Sequence, residues 1–322
     1  MAFRYINPGY ASLLDANSGA TEMTGTTYSK SGVAFYSQDS TYTKGITLEN
    51  FSFEKDFWMM FDFYLLKNSG AAIFVYVPGG KKNGIKIENS PTYGTPKITL
   101  YACHNSGEVS SLASATGADD VIKEQLGIKV NAINTALLHV KYGAAGTGYI
   151  ELSINNQKNW KYQEQEIGYT STNKKVVFYT NDWRDAFSNV IISDEEISPR
   201  EKIISLPISA TATDMTADTN GMYIANAANQ TLMQTPDVAA LIAEYGTDST
   251  ITGIAVVGKP AYKTATGITT LTALSNSLGT LTEHDSCTLS DDISATALSG
   301  WRLENTTIAD LQNMQFGWKA GE

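Results

Sequence analysis

Phe53-Glu-Lys-Asp-Phe-Trp-Met-Met-Phe-Asp-Phe-Tyr-Leu65 decides the fold. Phe53, Phe57, Met59, Phe61, Phe63 and Leu65 share one parity. Side chains on a strand alternate between faces, so these residues predict one apolar face of a long strand. The other parity holds Trp58, Met60, Asp62 and Tyr64 and predicts an opposite face that is only partly wet.

The same period of two recurs on either side. Ala71–Val77 reads as a strand that stops at the turn Pro78-Gly79-Gly80. Ile98, Leu100 and Ala102 alternate inward, and so do Ala136, Leu138, Val140 and Tyr142, which leaves His139 outward and solvated beside Lys141. Gly143–Gly148 is a glycine-rich turn, after which Ile150, Leu152 and Ile154 resume the alternation, so a hairpin is expected. Val176–Thr180 and Phe187–Ser193 add strands, and one short helix is expected over Asp119–Leu126. The fold class expected is mainly β: an antiparallel β-sandwich of jelly-roll type over residues 1–203.

The pattern changes after Ser198-Pro199-Arg200, so residues 204–322 are expected to form a smaller β-rich or α+β domain with two short helices. One is expected near 236–245, with Thr235 as N-cap, Pro236 at the first helical position and Gly246 as terminator. Val238, Leu241, Ile242 and Tyr245 would form its apolar stripe. The other is expected near 308–315, capped by Thr307 with Asp310 three residues on, burying Ile308, Leu311 and Met314 and ending at Gly317.

With 42% hydrophobic and 17% charged residues, the 322-residue chain has the composition of a folded protein. A net charge of −10 argues against a nucleic-acid partner, and the doublets Lys81-Lys82 and Lys174-Lys175 read as turn or edge-strand charges. Cys103 and Cys287 make neither a metal spacing nor a disulfide framework. The start of the chain has no signal-peptide pattern, and nothing in the sequence predicts membrane insertion.

No nucleophile elbow, HExxH, phosphate loop or dinucleotide fingerprint occurs, so a chain without enzymatic activity is expected. His284 reads as part of a polar loop, and Asp194-Glu195-Glu196 as a charged turn after a strand. Glu164 and Glu166 read as one solvated strand face. Tyr179-Thr-Asn-Asp-Trp-Arg-Asp185 is the segment most suited to a ligand. Its Trp183 can stack on a sugar ring while Asp182 accepts hydroxyl protons. Tyr93 and Trp160 are further aromatic candidates for carbohydrate. No cofactor is expected beyond a Ca²⁺ ion, for which Asp182 and Asp185 are the oxygen donors.

Asn131-Ala-Ile-Asn-Thr-Ala-Leu-Leu-His-Val-Lys141, Gly148-Tyr-Ile-Glu-Leu-Ser-Ile-Asn-Asn156 and Ala186-Phe-Ser-Asn-Val-Ile-Ile-Ser-Asp-Glu-Glu-Ile197 follow in an order that resembles the concanavalin A-like, laminin-G-type jelly roll. The resemblance implies glycan binding, with Ca²⁺ as a frequent companion. The ending Trp301-Arg-Leu-Glu-Asn-Thr-Thr-Ile-Ala-Asp-Leu-Gln-Asn-Met-Gln-Phe-Gly-Trp-Lys319 is similar to those of phage tail-fibre and virion proteins. It implies a virion structural protein (tail fibre, spike or capsid-attached fibre) located on the particle or another extracellular surface. Its lectin-like domain would attach to a host-surface glycan, with other virion proteins as partners and a homo-oligomer, a trimer among the options, as its state. The alternatives are a bacterial surface adhesin or carbohydrate-binding module and, third, a glycoside hydrolase or lyase.

Overall fold

The computed structural model describes residues 5–7, 9, 21–30, 33–36, 46–53, 56–65, 70–76, 82–89, 96–103, 109–115, 127–157, 160–162, 171–180, 185–199, 201–258, 261–264, 267–291 and 297–322. The expected helix over 119–126 lies outside them. The chain divides into two compact units, Arg4–Ile203 and a second built on Ile204–Glu322.

The first unit is an antiparallel β-sandwich. Its strands are β1 (Tyr5–Asn7), β2 (Thr21–Thr24), β3 (Val33–Tyr36), β4 (Ile46–Phe53), β5 (Asp56–Leu65), β6 (Gly70–Tyr76) and β7 (Lys82–Asn89). After them come β8 (Pro96–Cys103), β9 (Val109–Ala115), β10 (Ala132–Lys141), β11 (Tyr149–Ile154), β12 (Trp160–Tyr162), β13 (Ser171–Thr180) and β14 (Ala186–Ser193). Among the described residues one sheet runs β12-β11-β10-β5-β14-β3-β2 with β1 also on β14, and the other runs β4-β13-β6-β7-β8-β9.

Phe57, Met59, Phe61 and Phe63 are fully buried on β5. Phe57, Met59 and Phe61 lie opposite Val140, Leu138 and Ala136 of β10, and Met59 and Phe63 opposite Ile192 and Phe187 of β14. Phe178 of the six-stranded sheet is fully buried, its ring centre 5.4 Å from Phe35 and 5.1 Å from Phe187 of the eight-stranded sheet. Tilted and edge-on rings at this spacing bring negative faces near positive edges, so the cluster stitches the sheets together.

Three expectations are corrected here. Phe53 does not share a strand with Phe57: it ends β4, and the chain changes sheet before Asp56. The opposite face of β5 is not partly wet at its middle, because Met60, Asp62 and Tyr64 are buried. Tyr28 packs edge-on against Tyr64 with ring centres 4.9 Å apart, and the Asp62 carboxylate accepts hydrogen bonds from Thr135 Oγ1, Asn189 Nδ2 at 2.8 Å and Lys30 Nζ at 3.3 Å. Those donors offset its desolvation. Finally, Lys82 lies on β7 and Lys174-Lys175 on β13, interior strands rather than edges.

The second unit contains β15 (Ile208–Thr213), β16 (Thr216–Ala217), β17 (Tyr223–Ile224), β18 (Thr231–Pro236), α1 (Ala239–Tyr245) and β19 (Thr250–Gly258). It continues with β20 (Thr270–Ser277), β21 (Thr280–Thr288), β22 (Ala297–Thr307), α2 (Ile308–Leu311) and β23 (Met314–Gly321). Among the described residues a sheet runs β15-β18-β23-β20-β21, with β16-β17 and β19-β22 as separate pairs. Val238, Leu241, Trp301, Ile308, Leu311, Phe316 and Trp318 share its core.

Both helices depart from expectation at their ends. Thr235 and Pro236 finish β18 instead of capping α1, whose N-cap is Val238; Asp237 Oδ1 accepts from Ala239 N–H at 3.0 Å. Gly246, at φ 80°, does end that helix. Thr307 and Asp310 form the expected capping box, but α2 is a single turn, and Met314 is already in β23. Gly317 is therefore a strand residue. A Cβ there would lie 1.7 Å from the Leu232 carbonyl oxygen, so the close approach of β18 admits only glycine.

Candidate functional site

The outward parity of β5, β10, β11 and β12 gathers aromatic and charged side chains into one strip. Register sets it: Trp58 lies opposite His139, His139 opposite Glu151, Lys141 opposite Tyr149, and Glu151 opposite Lys161. Their neighbours Phe57, Val140, Ile150 and Leu152 fill the core, which fixes this parity outward.

His139 stacks on Trp58 with ring centres 3.9 Å apart and planes 18° off parallel. Tyr149 meets the imidazole edge-on at 5.0 Å, and its hydroxyl is 3.3 Å from His139 Nδ1. Lys161 Nζ stands 3.8 Å from the centre of the Tyr149 ring and Lys141 Nζ 5.8 Å from it, both within cation–π range. Trp58, His139, Tyr149 and Glu151 are half-buried, while Lys141 and Lys161 are exposed. His139 is thus outward as expected, yet packed between rings rather than solvated. At the other end of the same face Lys30 and Tyr28 lie over Asp62 and Tyr64. Burial pushes up the Tyr64 hydroxyl, and the nearby Tyr28 and Asp185 add to the shift. Half-shielded aromatic faces ringed by a carboxylate and ammonium groups can stack on the apolar side of a sugar and bind its hydroxyls.

Of the residues singled out from sequence, Tyr93, Asp182 and Trp183 lie outside the described residues, as do Glu164 and Glu166. Trp160 is in β12, and its backbone pairs with Leu152, a core-facing position of β11. Asp185 is fully buried at the start of β14. Among the described residues no group of three or more His, Cys, Asp or Glu is placed to hold a metal ion. Asp194-Glu195-Glu196 follows β14 as a bend. His284 is not in a loop: it is on β21, stacked on Trp301 at 3.7 Å, with Nε2 2.8 Å from Ser275 Oγ. Trp58, Tyr149 and Lys161 were not foreseen as site residues; each shares the outward parity of its strand, but the pairing that assembles them spans four strands, β5, β10, β11 and β12.

No protein-family model and no curated protein sequence matches the chain. Solved structures do match. One is the endo-β-1,4-glucuronan lyase of the fungus Trichoderma reesei, at 12% identity and a TM-score of 0.41, over 60% of this chain and 96% of that one. Another is galectin-Ib of Xenopus laevis, at 9% identity and a TM-score of 0.34, over 46% and 98%. A third is an alginate lyase in complex with an alginate trisaccharide, at 9% identity and a TM-score of 0.34, over 61% and 97%. These neighbours have galectin and polysaccharide-lyase jelly-roll folds. Two of the three are enzymes by name, and on that finding the expectation of a chain without enzymatic activity is withdrawn.

Proposed function

We propose that the first unit binds a glycan along the strip formed by Trp58, His139, Tyr149, Glu151 and Lys161, and that the chain attaches a phage particle to sugars on its host's surface. The observation that carries glycan binding is the half-buried Trp58–His139–Tyr149 stack, flanked by Lys141 and Lys161. Support for the particle comes from the likeness of Trp301–Lys319 to virion protein endings. Titration calorimetry against host surface glycans tests the first part. Trp58→Ala and Tyr149→Ala should each weaken binding about tenfold or more, the loss of roughly one aromatic contact. Unchanged affinity in both folded variants would sink it. Immunogold electron microscopy of intact particles tests the second part, and unlabelled particles refute it.

A second reading has its own observation, the 3.3 Å approach of Tyr149 Oη to His139 Nδ1. Such a pair could cleave a uronate polymer by β-elimination. Tyr149 would pass its hydroxyl proton to His139 Nδ1, take the proton beside the carboxylate and deliver it to the leaving glycosidic oxygen, His139 then returning its proton to Tyr149, and Lys161 would face the carboxylate charge. Incubation with a panel of uronate polysaccharides, followed by the ultraviolet absorbance of the unsaturated product, decides it. No absorbance change with the wild-type chain would eliminate this reading.

A further inference from the structure

Among the described residues the five-stranded sheet of the second unit ends in two unlike edges, β21 and β15. An edge strand leaves a row of backbone N–H and C=O groups without a strand partner, and charges or bulges normally discourage a second chain from using them. β21 is defended in this way: it carries Glu283 and Asp285, Lys319 reaches across to Glu283 at 2.6 Å, and its register with β20 is broken between Thr272 and Leu274. β15 reads Ile-Ser-Ala-Thr-Ala-Thr and carries no charge. Its register shift is confined to the step between Ile208 and Ala210, so Ala210–Thr213 remains a regular strand.

All six residues of β15 are exposed, so it covers the core with neither face. Among the described residues its strand pairing is with β18 alone, which is what offsets the chain entropy it has lost. Large apolar side chains are exposed on it and just before it, with Ile208 at 49% and Ile204 at 42%. The electrostatics single out the same place. In a chain of net charge −10, residues 203–236 contain only Asp214 and Asp218 and not one Lys or Arg. Two copies of an acidic chain repel across most of their surfaces and least across a neutral one.

We propose that β15 is an isologous interface at which a second copy of this chain pairs antiparallel, strand to strand, so that the two five-stranded sheets become continuous. The occupant is a second copy because a neutral, self-matching edge meets itself without like-charge opposition, and a two-fold axis closes the contact so that it does not propagate. Thr and Ala, alternating along the edge, leave room for the partner's side chains. Lys, the usual blocking residue, is missing from every position of it.

Sedimentation equilibrium of the full chain over a range of concentrations tests this. The wild-type chain should have twice the 34.8 kDa mass of one copy. Thr211→Lys and Ala210→Lys place a charge on opposite faces of the edge, and each should weaken self-association at least tenfold and yield monomers. Thr282→Lys, on the defended edge, should leave the mass unchanged. Circular dichroism checks that each variant is folded, and having two blocking variants keeps the test decisive if one misfolds. A wild-type monomer, a trimer, or a dimer that survives in a folded blocking variant would each overturn the proposal.

Discussion

Replacing Phe178 by Ala should loosen the first unit more than almost any other single truncation. Phe178 is a fully buried ring of the six-stranded sheet, and it packs on both Phe35 and Phe187 of the other sheet. Truncating a buried Phe removes its transfer free energy and leaves a cavity, which together cost ~3–5 kcal/mol. Two close-packed ring pairs, each worth ~0.5–1.5 kcal/mol beyond area, place this site at about 4 kcal/mol or above. For a unit of this size each kcal/mol lowers Tm by about 2–4 °C, so a drop of about 8–16 °C is expected. Urea denaturation and thermal circular dichroism measure both quantities, and Phe178→Leu, which fills much of the space, should lose less than half as much. If Phe178→Ala costs under about 1 kcal/mol, the sheets are not joined through this ring and the account of the sandwich core is wrong.

Gly317→Ala should destabilise the second unit by about 3 kcal/mol or more, seen as a lower Tm or loss of soluble protein, because its Cβ would sit on the Leu232 carbonyl oxygen. Burial holds the His284 imidazole below its usual pKa of 6.5, partly opposed by Asp285. The unfolded chain therefore takes up the proton first, and stability that is complete above about pH 6.5 should decline as the pH falls below it. Thermal melts between about pH 7.5 and pH 5 should show this slope flatten in His284→Gln. Burial also pushes up the Cys287 thiol, which donates to the Leu298 carbonyl at 2.9 Å. In a Cys103→Ser background, its alkylation at neutral pH should be slower than that of a small-molecule thiol, and equal rates would contradict the packing.

The sandwich was legible because Phe57, Met59, Phe61 and Phe63 declare their parity with side chains too large to hide elsewhere. The far face of β5 was less legible, since Asp62 and Tyr64 are covered by Tyr28, Lys30 and Asn189, which are remote in sequence. Thr235-Pro236 and Gly317 show a different difficulty. Each matches a helix-boundary signal, yet Pro also suits a strand position beside a bulge, as Pro236 lies opposite Ile208, and Gly the point where another backbone crosses closely. The site was half-legible: alternation turned His139 outward, but only the strand register could put Trp58 beneath it and Tyr149 beside it.

The placement of β5 governs how the first unit can be made. Its two neighbours are β10 and β14, which begin at Ala132 and Ala186. A ribosome therefore exposes the greasiest strand of the protein long before either partner has been synthesised. Such distant pairings slow folding, so recovery from denaturant should be sluggish, and a chain cut before Ala186 should precipitate or be held by a chaperone.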